Sequence, residues 1–134
     1  MSNNAKDLIG RLCDSRFPYF DPKSGTHKFK LRPVLVIGVE RDFLPCDLTV
    51  LPVSKISKPE NIDNDYDYQL TAKNHGKLKL KFDPSFVRTH KISTAHSKDL
   101  SFQHTDYSIR DLYEEDYQII KEKFQKFSTE LFLV

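Results

Sequence analysis

Apolar residues fall along this chain in three patterns, and each predicts a different element. Leu31 to Val39 is rich in Val and Ile at consecutive positions, the mark of a strand covered on both faces. Leu48-Thr49-Val50-Leu51-Pro52-Val53 reads as a second strand; Pro52 gives no ladder hydrogen bond, which predicts an edge or strand-end position for it. The connection from Glu40 to Asp47 holds Pro45 and several charges and has the length of a hairpin link, so the two strands are expected to pair antiparallel. Arg11 to Phe17 is a weaker strand. Pro18, Pro22 and Gly25 then predict a long polar loop running up to Arg32. Tyr66 to Leu70 and Leu78 to Phe82 alternate apolar and polar residues, as half-buried strands do, and Ser85 to Thr89 adds a short strand after Asp83-Pro84.

The period changes near the end. Tyr113, Tyr117, Ile120, Phe124, Phe127 and Leu131 follow the 4, 3, 4, 3, 4 spacing of an amphipathic helix of about five turns. Asp111 offers an N-cap, and Glu114, Glu115 and Asp116 place negative charge at the positive end of the helix dipole. Short strands closed by one terminal helix predict an α+β fold: a small, partly open antiparallel β-barrel with the C-terminal helix packed against it.

With 134 residues, 38% hydrophobic and 30% charged, the chain fits one globular domain able to form a core without disulfide or metal. A polar N-terminal extension, 1–9, is expected to precede a domain at 10–134. The longest uninterrupted apolar runs, Val34 to Ile37 and Leu131 to Val134, are far too short for a transmembrane helix. The polar start carries no signal-peptide pattern, so a cytoplasmic protein with reduced Cys13 and Cys46 is expected.

The formal net charge of +2 by itself points to no partner, but it is unevenly spread. Lys23 to Arg32 holds four basic residues and no acid; Lys73 to Lys98 holds seven basic residues against Asp83. Brought onto one face, these blocks suit a polyanion. Acids gather between Glu40 and Asp67 and between Asp99 and Asp116.

Several chemistries are missing at the level of spacing. The histidines at 27, 75, 90, 96 and 104 include no i, i+4 pair, and the two cysteines form no Cys-x-x-Cys, so no metal site is expected. Four glycines write neither a dinucleotide fingerprint nor a P-loop, and no Gly-x-Ser-x-Gly elbow is present. No cofactor is expected. What remains is a set of groups at strand ends: Arg32 before Pro33, Ser54 after Pro52-Val53, and Arg88-Thr89-His90. In an antiparallel pair, the start of one strand lies beside the end of its neighbour, which brings Arg32 toward Ser54. Guanidinium groups bind phosphate bidentately and stabilise a pentacoordinate phosphoryl transition state.

Phe17-Pro18-Tyr19-Phe20-Asp21-Pro22, Lys30-Leu31-Arg32-Pro33-Val34-Leu35-Val36-Ile37, Thr49-Val50-Leu51-Pro52-Val53-Ser54, Phe86-Val87-Arg88-Thr89 and a closing helix led by Glu114-Glu115-Asp116 follow one another in an order that resembles the MazF/PemK family of toxin-antitoxin ribonucleases. The likeness extends from about Gly10 onward. It implies an SH3-like barrel, a homodimer, metal-independent cleavage of single-stranded RNA, and inhibition by an acidic antitoxin. By position it makes Arg32 the active-site arginine, Ser54 the hydroxyl after the Pro-Val pair, and Arg88 and Thr89 the Arg-Thr pair near the RNA groove. His27 stands in a loop similar to one whose histidine takes part in cleavage in PemK-type members, offset from Arg32 by one more residue. Two departures stand out: Ser85 and Phe86 occupy the place of an acid and a glutamine, and His90-Lys91 follow Thr89.

The expected reaction is attack of a ribose 2′-hydroxyl on the adjacent phosphate. Arg32 stabilises the phosphorane and helps remove the proton, Ser54 positions or protonates the departing oxygen, and His27 or His90 moves a proton. Lys28, Lys30, Lys55, Arg88, Thr89, His90 and Lys91 are expected to bind RNA, with Phe17, Tyr19 and Phe29 as stacking platforms. The alternative keeps the barrel without cleavage, as a protein- or RNA-binding module such as a gyrase-inhibitor-like toxin or an inactive regulator.

Overall fold

The computed structural model describes residues 4–101 and 107–133; His104 lies outside them. Seven strands form an antiparallel sheet: β1 (Leu12–Asp21), β2 (Thr26–Val39), β3 (Asp47–Ser54), β4 (Asp67–Leu70), β5 (Ser85–Arg88), β6 (Ser93–His96) and β7 (Leu100–Ser101). Their order is β4-β5-β3-β2-β1-β7, with β6 also paired to β3. The helices are α1 (Ala72–His75), α2 (Ile109–Leu112) and α3 (Glu114–Leu131). The α+β class and the C-terminal helix are as expected. The barrel is not: among the described residues β4 and β7 end the path without pairing to each other, so the sheet stays open.

The Val/Ile run behaves as its pattern predicts. Val34 and Val36 enter a core with Cys13, Leu48, Val50 and Leu100, while Leu35 enters another with Leu12, Leu51, Val87, Ile109 and Ile120. Side chains alternate across a strand, so a run apolar on both parities needs cover on both faces. The α3 stripe supplies part of that cover through Tyr117 and Ile120, with Phe124 packed alongside. Its last member, Leu131, remains 55% exposed. Residues 4–9, expected as an extension, pack onto the sheet: Ala5 and Leu8 are buried in the second core, in a 3₁₀ turn capped by Asn4.

Several local expectations are corrected. The stretch read as a loop before Arg32 is a long hairpin with unbroken register from Leu12↔Leu35 to Asp21↔Thr26. Its turn is held by the Gly25 N–H to the Asp21 carbonyl, 2.8 Å, with Gly25 at φ +69°, a region where Cβ is unwelcome. Leu78 to Phe82 is not a strand; a 3₁₀ turn over Gly76–Leu78 leads into irregular chain, with Lys79 left-handed at φ 51°. Pro52 lies inside the β3 range, opposite Val34, where the other edge of β3 passes from β6 to β5. Near the C-terminal helices, Ser108 rather than Asp111 is the cap: its hydroxyl accepts the Asp111 N–H at 3.1 Å to start α2, and Tyr113 separates α2 from α3.

Candidate active site

The β2–β3 ladder stops at Val34↔Pro52. Continuing that register by two residues sets Arg32 opposite Ser54, where the strands are no longer bonded and a groove of about 740 Å³ opens. Residues 30 to 33 all line it. Because neighbouring residues of a strand point to opposite faces, the groove runs around the free edge of β2. Leu12, Val53 and Leu78 give it an apolar floor. Lys30, Arg32, Lys55, Lys79 and Lys81 give it five cationic groups against the carboxylate of Asp14. A second, smaller hollow beyond Lys55 adds Lys58 and Arg88. Cys13 also lines the groove, but burial first, with the charge of Asp14, pushes its thiol up to about 12, so it is no nucleophile at neutral pH.

The expected site residues divide. Arg32, Ser54, Lys30 and Lys55 come together in the groove. His27 does not. It is five residues before Arg32, roughly 16 Å along an extended strand, and of opposite parity. On the hairpin, Lys28, Lys30 and Arg32 share a face with Phe17 and Tyr19, and the Lys30 ammonium lies 4.5 Å from the Tyr19 ring centroid. His27 shares the other face with Phe20, in edge-to-face contact at 5.5 Å, and with Phe29, covered by Arg16 at 4.4 Å. Lys28 pairs with Asp21 at 2.9 Å, which holds that carboxyl below its ordinary value. Phe17 packs against the second core.

Arg88, Thr89 and His90 are largely occupied by the protein itself. Arg88 Nε donates to Asp67 Oδ1 at 3.1 Å and Nη2 to Oδ2 at 3.4 Å, and the Asp67 side chain is 0% exposed. Thr89 is fully buried and its hydroxyl donates to the Tyr66 carbonyl at 2.6 Å, so it cannot touch RNA. His90 packs between Tyr66 and Phe127 away from the groove. Burial lowers its pKa, prevailing over the Asp67 carboxylate 3.8 Å away. Lys91 is exposed on the turn between β5 and β6. Ser85, a departure from the acid that the family resemblance implies at this place, is buried and donates to the Phe82 carbonyl at 2.7 Å.

A second polar network braces the groove wall from behind. His75 Nδ1 accepts the Thr71 N–H at 3.1 Å, which leaves Nε2 as the protonated nitrogen of the neutral ring, donating to Asp116 Oδ1 at 3.0 Å. The Tyr68 hydroxyl donates to the same oxygen. Burial alone would raise the Asp116 pKa; the hydrogen bonds from Tyr68 and His75 outweigh it and hold the carboxyl below its ordinary value. This network ties β4 and α1 to α3, just ahead of the segment 78–82 that lines the groove.

Sequence reasoning misses Lys79, Lys81 and Phe82 as site residues. The basic block from Lys73 to Lys98 is the available signal. Reading that stretch as a strand hides the irregular turn that brings these side chains to the groove.

Arg32, expected at a strand start, lies inside β2, while Ser54 ends β3; both line one lysine-rich groove at the side of an open antiparallel sheet, an arrangement whose charge suits a polyanion. The sequence pattern of PemK-like, MazF-like toxins of type II toxin-antitoxin systems matches residues 18–128, and the chain belongs to that family. No curated protein matches it. Membership supports toxin-type endoribonuclease action in general and implies an antitoxin protein as partner. Among the described residues, no helix is long and apolar enough to cross a membrane.

Proposed function

We propose that the groove cleaves single-stranded RNA without a metal ion, by attack of a ribose 2′-hydroxyl on the adjacent phosphorus. The new O–P bond forms as the 2′ proton passes to a carboxylate. The P–O5′ bond then breaks and a proton goes to O5′, leaving a 2′,3′-cyclic phosphate and a 5′-hydroxyl. Arg32 meets the extra charge of the phosphorane with paired N–H donors, and the surrounding lysines neutralise flanking phosphates. Asp14 accepts the 2′ proton: it is the carboxylate among the described groove residues and no described histidine lines the groove. Its register partner is Pro33, so it acts from the face opposite Arg32, across the groove that wraps the free edge of β2. Ser54 passes a proton to the departing oxygen and recovers one from water. The observation that supports this reading is that Arg32 and Ser54 line one cationic groove, at positions that a two-residue extension of the β2–β3 register would make opposite.

An acidic antitoxin suits that charge, and a homodimer follows the family resemblance; sedimentation of the purified chain, alone and with its antitoxin, tests both. Cleavage is tested by incubating the protein with long mixed-sequence RNA in EDTA and mapping fragment ends. Discrete cuts bearing cyclic phosphate, absent in Arg32→Ala and Ser54→Ala and reduced in Asp14→Asn, support the reading. Intact RNA beside an active toxin of the family as control overturns it. A gel shift without cuts would make the chain a binding module.

A further inference from the structure

Two large apolar side chains line the groove without joining a core, Leu31 on the edge of β2 and Phe82 on the segment 78–82, and of these Phe82 is the aromatic one. Along its own segment Leu78 is 1% exposed and Leu80 packs against the first core, whereas Phe82 is 43% exposed. Two ammonium groups attend its ring: Lys55 Nζ at 5.2 Å and Lys81 Nζ at 5.4 Å from the centroid. Like charges converging on one ring repel each other, and each is held by the ring quadrupole at only modest gain in water. Both are therefore ready to leave for a better anion. The backbone beneath is fixed: the Phe82 carbonyl accepts the buried Ser85 hydroxyl at 2.7 Å, and Asp83 Oδ1 accepts the Ala72 N–H at 3.0 Å. Lys55 directly follows Ser54, and all four residues, Ser54, Lys55, Lys81 and Phe82, line the one groove.

A fixed, exposed aromatic face flanked by displaceable cations has the two parts that single-stranded nucleic acid needs: a π-surface for a base and positive charge for the phosphates on either side. We propose that Phe82 is the stacking platform for an unpaired base beside the Arg32–Ser54 pair. Lys55 and Lys81 leave the ring as the base arrives and take the flanking phosphates. This rests on the reading of the groove as an RNA site and adds to it a positioning residue that orients the strand next to the reacting phosphate. Duplex RNA, whose bases are already stacked and paired, does not use the platform.

The test measures binding, not cleavage, using a short 2′-O-methyl RNA of random sequence that cannot supply the attacking hydroxyl. Phe82→Ala and Phe82→Leu should weaken binding roughly 5- to 150-fold, the range for loss of one base–aromatic stack. Their urea midpoints should stay at the wild-type value, because the side chain is outside the cores. Phe82→Trp should bind as wild type, and since the chain has no other tryptophan the indole emission of this variant reads the site directly, with quenching expected on saturation. Lys81→Gln should flatten the salt dependence of binding by about 0.7 in the log–log slope. Wild-type binding with the Ala and Leu variants within twofold of it, or unquenched emission from Phe82→Trp at saturation, overturns the platform while the RNA site stands. Quenching by the analogue with no cleavage of unmodified RNA upholds the platform and overturns the nuclease reading. No binding by the wild-type protein overturns both.

Discussion

Replacing Arg88 by Ala should behave as a stability lesion. Arg88 gives two side-chain hydrogen bonds to Asp67, at 3.1 and 3.4 Å, and the carboxylate it serves has no exposed surface. The carboxylate's other donor is the Asp63 N–H at 2.8 Å. Without the guanidinium, Asp67 keeps a buried charge with one short backbone bond and a histidine nitrogen 3.8 Å away. Removing one partner of a buried pair costs about 3–5 kcal/mol, against a total stability of about 5–15 kcal/mol for a domain. With a urea slope near 2 kcal/mol per molar, the midpoint should fall by about 2 M. Far-UV circular dichroism in a urea series measures it, with Arg32→Ala as the contrast, expected within about 0.5 kcal/mol of wild type because Arg32 lies exposed on the groove rim. Pairing Arg88→Met with Asp67→Leu should recover most of the loss, since the uncompensated charge goes with its partner. An unchanged midpoint in Arg88→Ala together with lost RNA cleavage would refute this assignment and return Arg88 to the RNA groove.

Three further outcomes follow from the same structure. Asp116 titrates below its unfolded value, so its contribution to stability is full above the unfolded carboxylate pKa and is lost as pH falls through the folded one. Urea midpoints for Asp116→Asn should therefore be lower than wild type at pH 7 and decline less steeply below about pH 4; parallel declines would sink the hydrogen-bond account. Cys13 and Cys46 are both buried, and native protein should react with a thiol reagent at about pH 8 only at the rate of unfolding, becoming fast in urea; rapid native labelling would contradict the placement of both. Gly10 sits at φ +88° with Arg110 packed where a Cβ would go, so Gly10→Ala should destabilise by about 2–4 kcal/mol in the same urea assay.

Features that depend on local periodicity and short spacing are legible in the chain without its fold. The run from Val34 to Val36 specifies a strand buried on both faces, the Tyr113–Leu131 stripe specifies the closing helix, and the ordered motifs carry the family. Arg32 and Ser54 are legible as groove neighbours because β2 and β3 pair antiparallel, although Arg32 lies inside β2 and only Ser54 stands at a strand end. Other features exist only through long-range pairing. Whether Lys28, Phe29 and Lys30 form loop or strand depends on pairing with β1 across a turn, since proline and charge locally favour a loop while a full ladder outweighs them. That pairing sets parity and sends His27 to the face opposite Arg32. Arg88 and Thr89 look identical in sequence whether they meet RNA or brace the fold; only the buried Asp67 and the Tyr66 carbonyl, more than twenty residues earlier, claim them for the interior. Phe82 becomes visible only in three dimensions, because an aromatic residue within an alternating stretch reads as core until the chain around it is seen to turn it outward.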